Sequence, residues 1–155
     1  MATFKNKFDS HKQDWPTPDS LFNLLNDEFH FDFDLAADHT NAKCSAYFSV
    51  EDDALQQKWL GTCWLNPPYG VTKPRLSDWV KKAYQESEHC TVVMLIPART
   101  NTRWWHDYCM KATEIRFING RPKFGDAKRG LPQPLAIVVF RQHKGTTKLG
   151  AIKCV

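Results

Sequence analysis

The run Thr91-Val92-Val93-Met94-Leu95-Ile96-Pro97 is apolar throughout and stops at a proline. A strand without polar alternation needs cover on both faces, which is the habit of mostly parallel sheets flanked by helices. The rest of the chain fits that frame. Leu21, Phe22, Leu24, Leu25 and Phe29 mark one helical face, and Leu76, Trp79, Val80, Ala83 and Tyr84 mark another, extending to about residue 88. Strand-like segments at 31–35, 46–50, 62–65, 91–97, 114–119 and 134–140 alternate with these, and a last edge strand falls at 149–155. The alternation predicts a compact α/β fold with helices on both faces of the sheet. A length of 155 residues predicts a single domain over 1–155, with the polar, basic stretch 1–14 as a flexible arm.

In such sheets ligands bind beyond the carboxyl ends of the strands. Three of those ends carry unusual chemistry: Asp34, Asn66 and Pro97-Ala98-Arg99. The densest is Asn66-Pro67-Pro68-Tyr69, which follows the short apolar run 62–65. The prolines stiffen the segment and remove amide donors, so it presents acceptors. The Asn66 amide oxygen and the Pro67 carbonyl suit the two N–H bonds of an aromatic amine, with Tyr69 at the rim to stack on its ring. Asn-Pro is also an ordinary turn signal.

The segment 31–38 alternates Phe31, Phe33 and Leu35 with Asp32 and Asp34, then runs into Ala36, Ala37 and Asp38. Asp34 and Asp38 stand where an acid meets a bound cation, although solvated acids on a strand edge give the same pattern. Thr17 and Pro18 read as the cap and first residue of the first helix. Asp53 follows the second strand, where an acid either accepts hydroxyl or amino protons or favours a helix start. Arg99 and Arg103, interleaved with Thr and Trp, suit phosphate and base contacts, and the same residues also suit a helix capped at Thr102. Arg121, Lys123 and Arg129 add cations in glycine-containing loops.

The net charge of +4, with a pI near 8.8, is compatible with a polyanionic partner. Five cysteines, at 44, 63, 90, 109 and 154, show no C-x-x-C spacing, and their number is odd. Together with the lack of a signal or membrane-spanning run, this predicts a reduced, cytoplasmic setting and no membrane partner. Six scattered histidines without ligand spacing predict no metal site.

Asn-Pro-Pro-Tyr is also the catalytic motif of amino-group methyltransferases. From roughly Trp15 to Phe140 the chain resembles the small phage and prophage DNA adenine methyltransferases. The likeness includes Asn41-Ala42-Lys43-Cys44 in place of a glycine-rich loop, Pro97-Ala98-Arg99-Thr100 with Thr102-Arg103-Trp104, and Gly120-Arg121 with Lys123-Phe124. The resemblance implies a Rossmann-like methyltransferase sheet, S-adenosylmethionine as donor, no metal, and a flipped-out adenine of double-stranded DNA as acceptor. It implies catalytic roles for Asn66, Pro67, Pro68 and Tyr69. Donor contacts fall to Thr17, Pro18, Asp34, Ala36, Asp38, Asp53 and Asn66, and DNA contacts to Arg99, Arg103, Arg121, Lys123 and Arg129. In a bacterial host the setting is the cytoplasm, and no protein partner is evident. Other acceptors with the same chemistry are cytosine, RNA adenine and protein glutamine. A non-catalytic nucleic-acid-binding module uses the motif only as a turn.

Overall fold

A computed structural model of the chain describes residues 16–124, 132–142 and 145–153. The α/β expectation is met by a seven-stranded mixed sheet and three α-helices among these residues. The strands are β1 (Phe33–Asp34), β2 (Ala46–Tyr47), β3 (Thr62–Leu65), β4 (Thr91–Pro97), β5 (Glu114–Asn119), β6 (Leu135–Phe140) and β7 (Lys148–Lys153). Their order is β2-β1-β3-β4-β6-β5-β7. The first four are parallel, so their carboxyl ends share one rim. β6 runs antiparallel to both β4 and β5, and β7 lies parallel to β5 at the edge.

Central β4 and β6 are buried almost along their whole lengths, which is why their sequences carry no polar alternation. β1 departs from the expected alternation. Phe31 and Phe33 are only half-buried, whereas Asp34 and Leu35 are both buried. The Asp34 carboxylate accepts the N–H groups of Ala36 and Lys43, so its burial is compensated and the strand stops there. Before β3, Gly61 holds φ +74°, and a Cβ there would stand 2.6 Å from Asp32 Oδ2. That same oxygen accepts the Thr62 N–H, so glycine and acid together start the strand.

Helix α1 spans Asp19–Phe29. It begins one residue later than expected: Pro18 occupies the cap position and no side chain caps the helix. Thr17 is instead drawn to Asn66, as described below. Leu24 is 44% exposed, while Leu21, Phe22 and Leu25 are buried, so the apolar stripe is narrower than its sequence pattern. Phe22 packs edge-on against Trp64 of β3, at 5.6 Å between ring centroids. At the far end Glu28 pairs with Arg116 of β5. The helix therefore reaches across the sheet from β3 to β5. α2 (Leu76–Glu86) buries Leu76, Trp79, Val80 and Ala83 and ends two residues short of the expected 88. α3 (Arg103–Asp107) is a short turn whose Thr102 hydroxyl donates to the Arg99 carbonyl rather than capping the helix.

Arg116 is the tie between helix and sheet edge. It donates to both oxygens of Glu28 and both oxygens of Glu114, and lies 5.4 Å from the Phe29 ring centre. Its side chain is 16% exposed and that of Glu114 9%, so solvent screens the pair poorly. Removing one partner leaves a charge buried alone. Arg116→Ala is expected to cost on the order of 3 kcal/mol in urea unfolding. Arg116→Leu combined with Glu114→Leu should cost clearly less. Equal losses would show that packing, not charge, holds this corner.

Candidate active site

The rim formed by β1, β2 and β3 opens on a cavity of about 410 Å³. Asn66 and Pro68 form part of one wall, and Asp34, Ala36, Ala37, Asp38 and Asp53 line the same space. The three strand-end clusters are thus only partly united. The first two share the cavity, whereas Arg99 lies outside its lining.

Asn66 is held by its neighbours. Its Nδ2 donates to Thr17 Oγ1 at 2.9 Å, and its Oδ1 lies 3.0 Å from the Tyr69 hydroxyl. Thr17 is 5% exposed and lines the cavity, so the segment before α1 serves this amide instead of the helix. The Tyr69 hydroxyl also lies 2.9 Å from the Leu95 carbonyl. Leu95 sits one residue beyond Met94, the last β4 residue paired with β3, so the tyrosine takes over where the strand pairing ends. With a single proton to give, it donates to Asn66 or to Leu95 at any moment.

This corrects the expected position of Tyr69. It is 7% exposed, packed in the core and outside the cavity lining, not at the rim. Burial also pushes its phenol well above the ordinary range, so it remains a neutral donor. Pro67 is likewise buried, and Pro68 rather than Pro67 faces the cavity. Pro18 does not line the cavity either, because it opens α1; Pro16 does.

The acids differ in environment. Asp34 is 3% exposed, and burial pushes its carboxyl up to about 6, against the lowering effect of the Lys43 and Ala36 N–H groups. Asp38 is exposed, and the Thr40 hydroxyl and backbone hold its carboxyl below the usual range. Asp53 takes φ +50° and makes no side-chain cap for the turn Ala54–Gln56 that it precedes. Its neighbour Asp52 is consumed by Ser49, accepting both its N–H and its hydroxyl. The local geometry therefore separates the two adjacent acids: Asp52 closes a turn, and Asp53 reaches the cavity.

The family model of DNA N-6-adenine-methyltransferase (Dam) matches residues 5–148. The chain belongs to this family. It is 34% identical over 137 residues to the DNA N-6-adenine-methyltransferase of Haemophilus phage HP1, covering 84% of this chain and 76% of that protein. It is 33% identical over 117 residues to the DNA N-6-adenine-methyltransferase of Escherichia phage T1. That match covers 73% of this chain, and the chain spans only about half (48%) of the T1 protein.

Against this Dam-family frame, the basic residues expected to contact DNA lie outside the cavity lining wherever they are described. Arg103 and Arg121 are exposed, as is Lys123, while Arg99 is half-buried. Arg103 makes only a loose pair with Asp107, at 3.5 Å. Lys123 stands between buried Pro122 and Phe124, which anchor its loop. Arg129 lies outside the described residues, as do the arm 1–14 and most of the loop 126–133.

Several cavity residues escape a sequence reading. Ser49 and Val50 line it, and the strand-end rule locates them just after β2. Lys43 lines it from within the Asn-Ala-Lys-Cys segment. Trp79 lines it from α2, and its place in the helical stripe gives no sign of that.

Proposed function

We propose that this chain transfers a methyl group from S-adenosylmethionine to the exocyclic amino group of an adenine in double-stranded DNA. It would do so as one methyltransferase domain over residues 1–155, in the cytoplasm of a bacterial host. The observation that carries the reading is that one cavity joins Asn66 to the acids after β1 and β2.

The residues present fit such a donor. The volume falls in the range of small-molecule sites, about 300–1,000 Å³. Three acids against one lysine in the lining suit a ligand with net positive charge. Trp79 adds an apolar indole face to the lining, while its ring N–H is fully buried with no partner among the described residues. Asp34 and Asp38 are assigned to the ammonium of the methionine moiety, with Ala36 allowing close backbone approach. Asp53 is assigned to the nucleoside, and Thr17 to the wall shared with Asn66. When bound, S-adenosylmethionine supplies a methyl group made electrophilic by its sulfonium.

The adenine amino group is a poor nucleophile because its lone pair is delocalised into the ring. Asn66 accepts one of its N–H bonds, localising the pair and aiming it; the Pro67 carbonyl, outside the cavity lining in the donor-free protein, is assigned the other. Pro68 keeps the segment rigid. Tyr69, being buried, acts on Asn66 by hydrogen bond instead of stacking on the base. The contributions are therefore proximity and fixed dipoles, with little acid–base chemistry before attack.

An adenine in a duplex has to leave the stack to reach this wall, at a cost of a few kcal/mol. Arg99, Arg103, Arg121, Lys123 and Arg129 are assigned to holding the distorted DNA. The affinity for duplex DNA should accordingly fall steeply between 50 and 200 mM salt. An affinity insensitive to salt counts against a cationic contact face.

The deciding experiment incubates the protein with S-adenosylmethionine and duplex DNA, followed by digestion and mass analysis of nucleosides. N6-methyladenine is expected. Methylcytosine, methylated RNA in competition, or a product only on protein glutamine would overturn the assignment.

A further inference from the structure

The cavity lining holds three carboxylates, Asp34, Asp38 and Asp53, and one cation, Lys43, among the described residues. The position of that cation is informative. Lys43 gives its backbone N–H to Asp34 Oδ2 at 3.0 Å, which fixes the root of the lysine side chain beside the acid. Its side chain is 16% exposed, and Nζ meets Asp19, two residues beyond the Thr17 wall. Asp19 is 84% exposed, and a pair with so solvated a carboxylate is weak and easily exchanged.

An α-amino acid bears its ammonium and its carboxylate on the same carbon. A site for one needs an acid and a base side by side, and the Asp34–Lys43 unit is the place in this lining that has both. Without a cation there, a ligand carboxylate would face three acids and be repelled.

We propose that Lys43 is a specificity-determining residue that binds the carboxylate of the donor's amino-acid tail, leaving Asp19 to do so. This rests on the donor assignment made above. Asp34 takes the ammonium and Lys43 the carboxylate, so the tail lies at the β1 end and the sulfonium is left toward Asn66. The site thereby selects donors that keep their carboxylate over decarboxylated ones.

The test is calorimetric binding by the full chain of two ligands: S-adenosylmethionine and its decarboxylated analogue, which keeps the ammonium, sulfonium and nucleoside. The wild type is expected to prefer S-adenosylmethionine by about tenfold or more, the worth of a charge-assisted bond. Lys43→Gln should weaken S-adenosylmethionine by a similar factor, leave the analogue unchanged, and bring the ratio close to one. Lys43→Arg should keep the preference. Any non-proline variant retains the N–H that Asp34 accepts, and comparing two ligands within one variant cancels a general loss of stability. An unchanged ratio in Lys43→Gln, or equal weakening of both ligands, overturns the role of Lys43. If the wild type binds neither ligand, the donor assignment itself has failed.

Discussion

Asn66→Ala is expected to slow single-turnover methylation of duplex DNA by about 10²–10³-fold while changing donor affinity little. The size follows from what the amide does. Between Thr17 and Tyr69 it has both ends engaged, so its oxygen is presented in one orientation. A group fixed in that way needs no reorganisation when the amine becomes a nucleophile, and misplacement by about 1 Å can cost 10²-fold. Tyr69→Phe provides the contrast. It removes one of the bonds orienting Asn66 but leaves the amide in place, so the rate should fall less, with a loss of about 1–2 kcal/mol in stability from the stranded Leu95 carbonyl. Single-turnover rates and donor calorimetry on both variants decide the matter. An unchanged rate for Asn66→Ala removes the amide from the chemistry. A parallel collapse of donor binding places it in the donor site instead.

The elements most legible in the sequence are those whose residues have one solution. β4 is apolar and proline-stopped, and β3 leads straight into Asn66-Pro67; both have the bounds the sequence predicts because nothing else suits those runs. The rim position of Asn66 and Asp34 followed from topology. What was not legible depends on long-range partners. Tyr69 looks like a rim aromatic until β4 is seen to outrun β3 and offer the Leu95 carbonyl. Thr17 looks like a helix cap until Asn66, 49 residues away, takes its hydroxyl. Asp34 reads as the outward partner of Phe33, yet two backbone N–H groups nine and two residues on draw it inside. In each case a local preference lost to a tertiary hydrogen bond that no local pattern encodes. Lys43 shows the same limit from the other side: a lysine in a polar loop gives no sign of facing a cavity.

Asp34→Ala is expected to weaken donor binding by about a hundredfold at pH 8, and to abolish its pH dependence. In the free protein burial raises this carboxyl to about 6, above its ordinary value of 3.8. The folded protein therefore holds the proton more tightly than the unfolded chain does. The contribution of Asp34 to stability is full below about pH 4 and is lost as pH rises through 6. By pH 7 the buried carboxylate has cost the donor-free fold on the order of 3 kcal/mol. A bound ammonium reverses the preference by stabilising the ionised form, so binding expels a proton below pH 6. Donor affinity should then climb by up to about tenfold per unit from pH 5 to 6, and level off above 7. Asp38 and Asp53 line the same cavity, but Asp38 is held below the usual range and ionised throughout this window, so it cannot produce that slope. Calorimetry from pH 5 to 8 on the wild type and on Asp34→Ala reads both effects. A variant with wild-type affinity, or a wild type whose affinity ignores pH, would move the cation away from the end of β1 and toward Asp38, whose carboxylate is already charged.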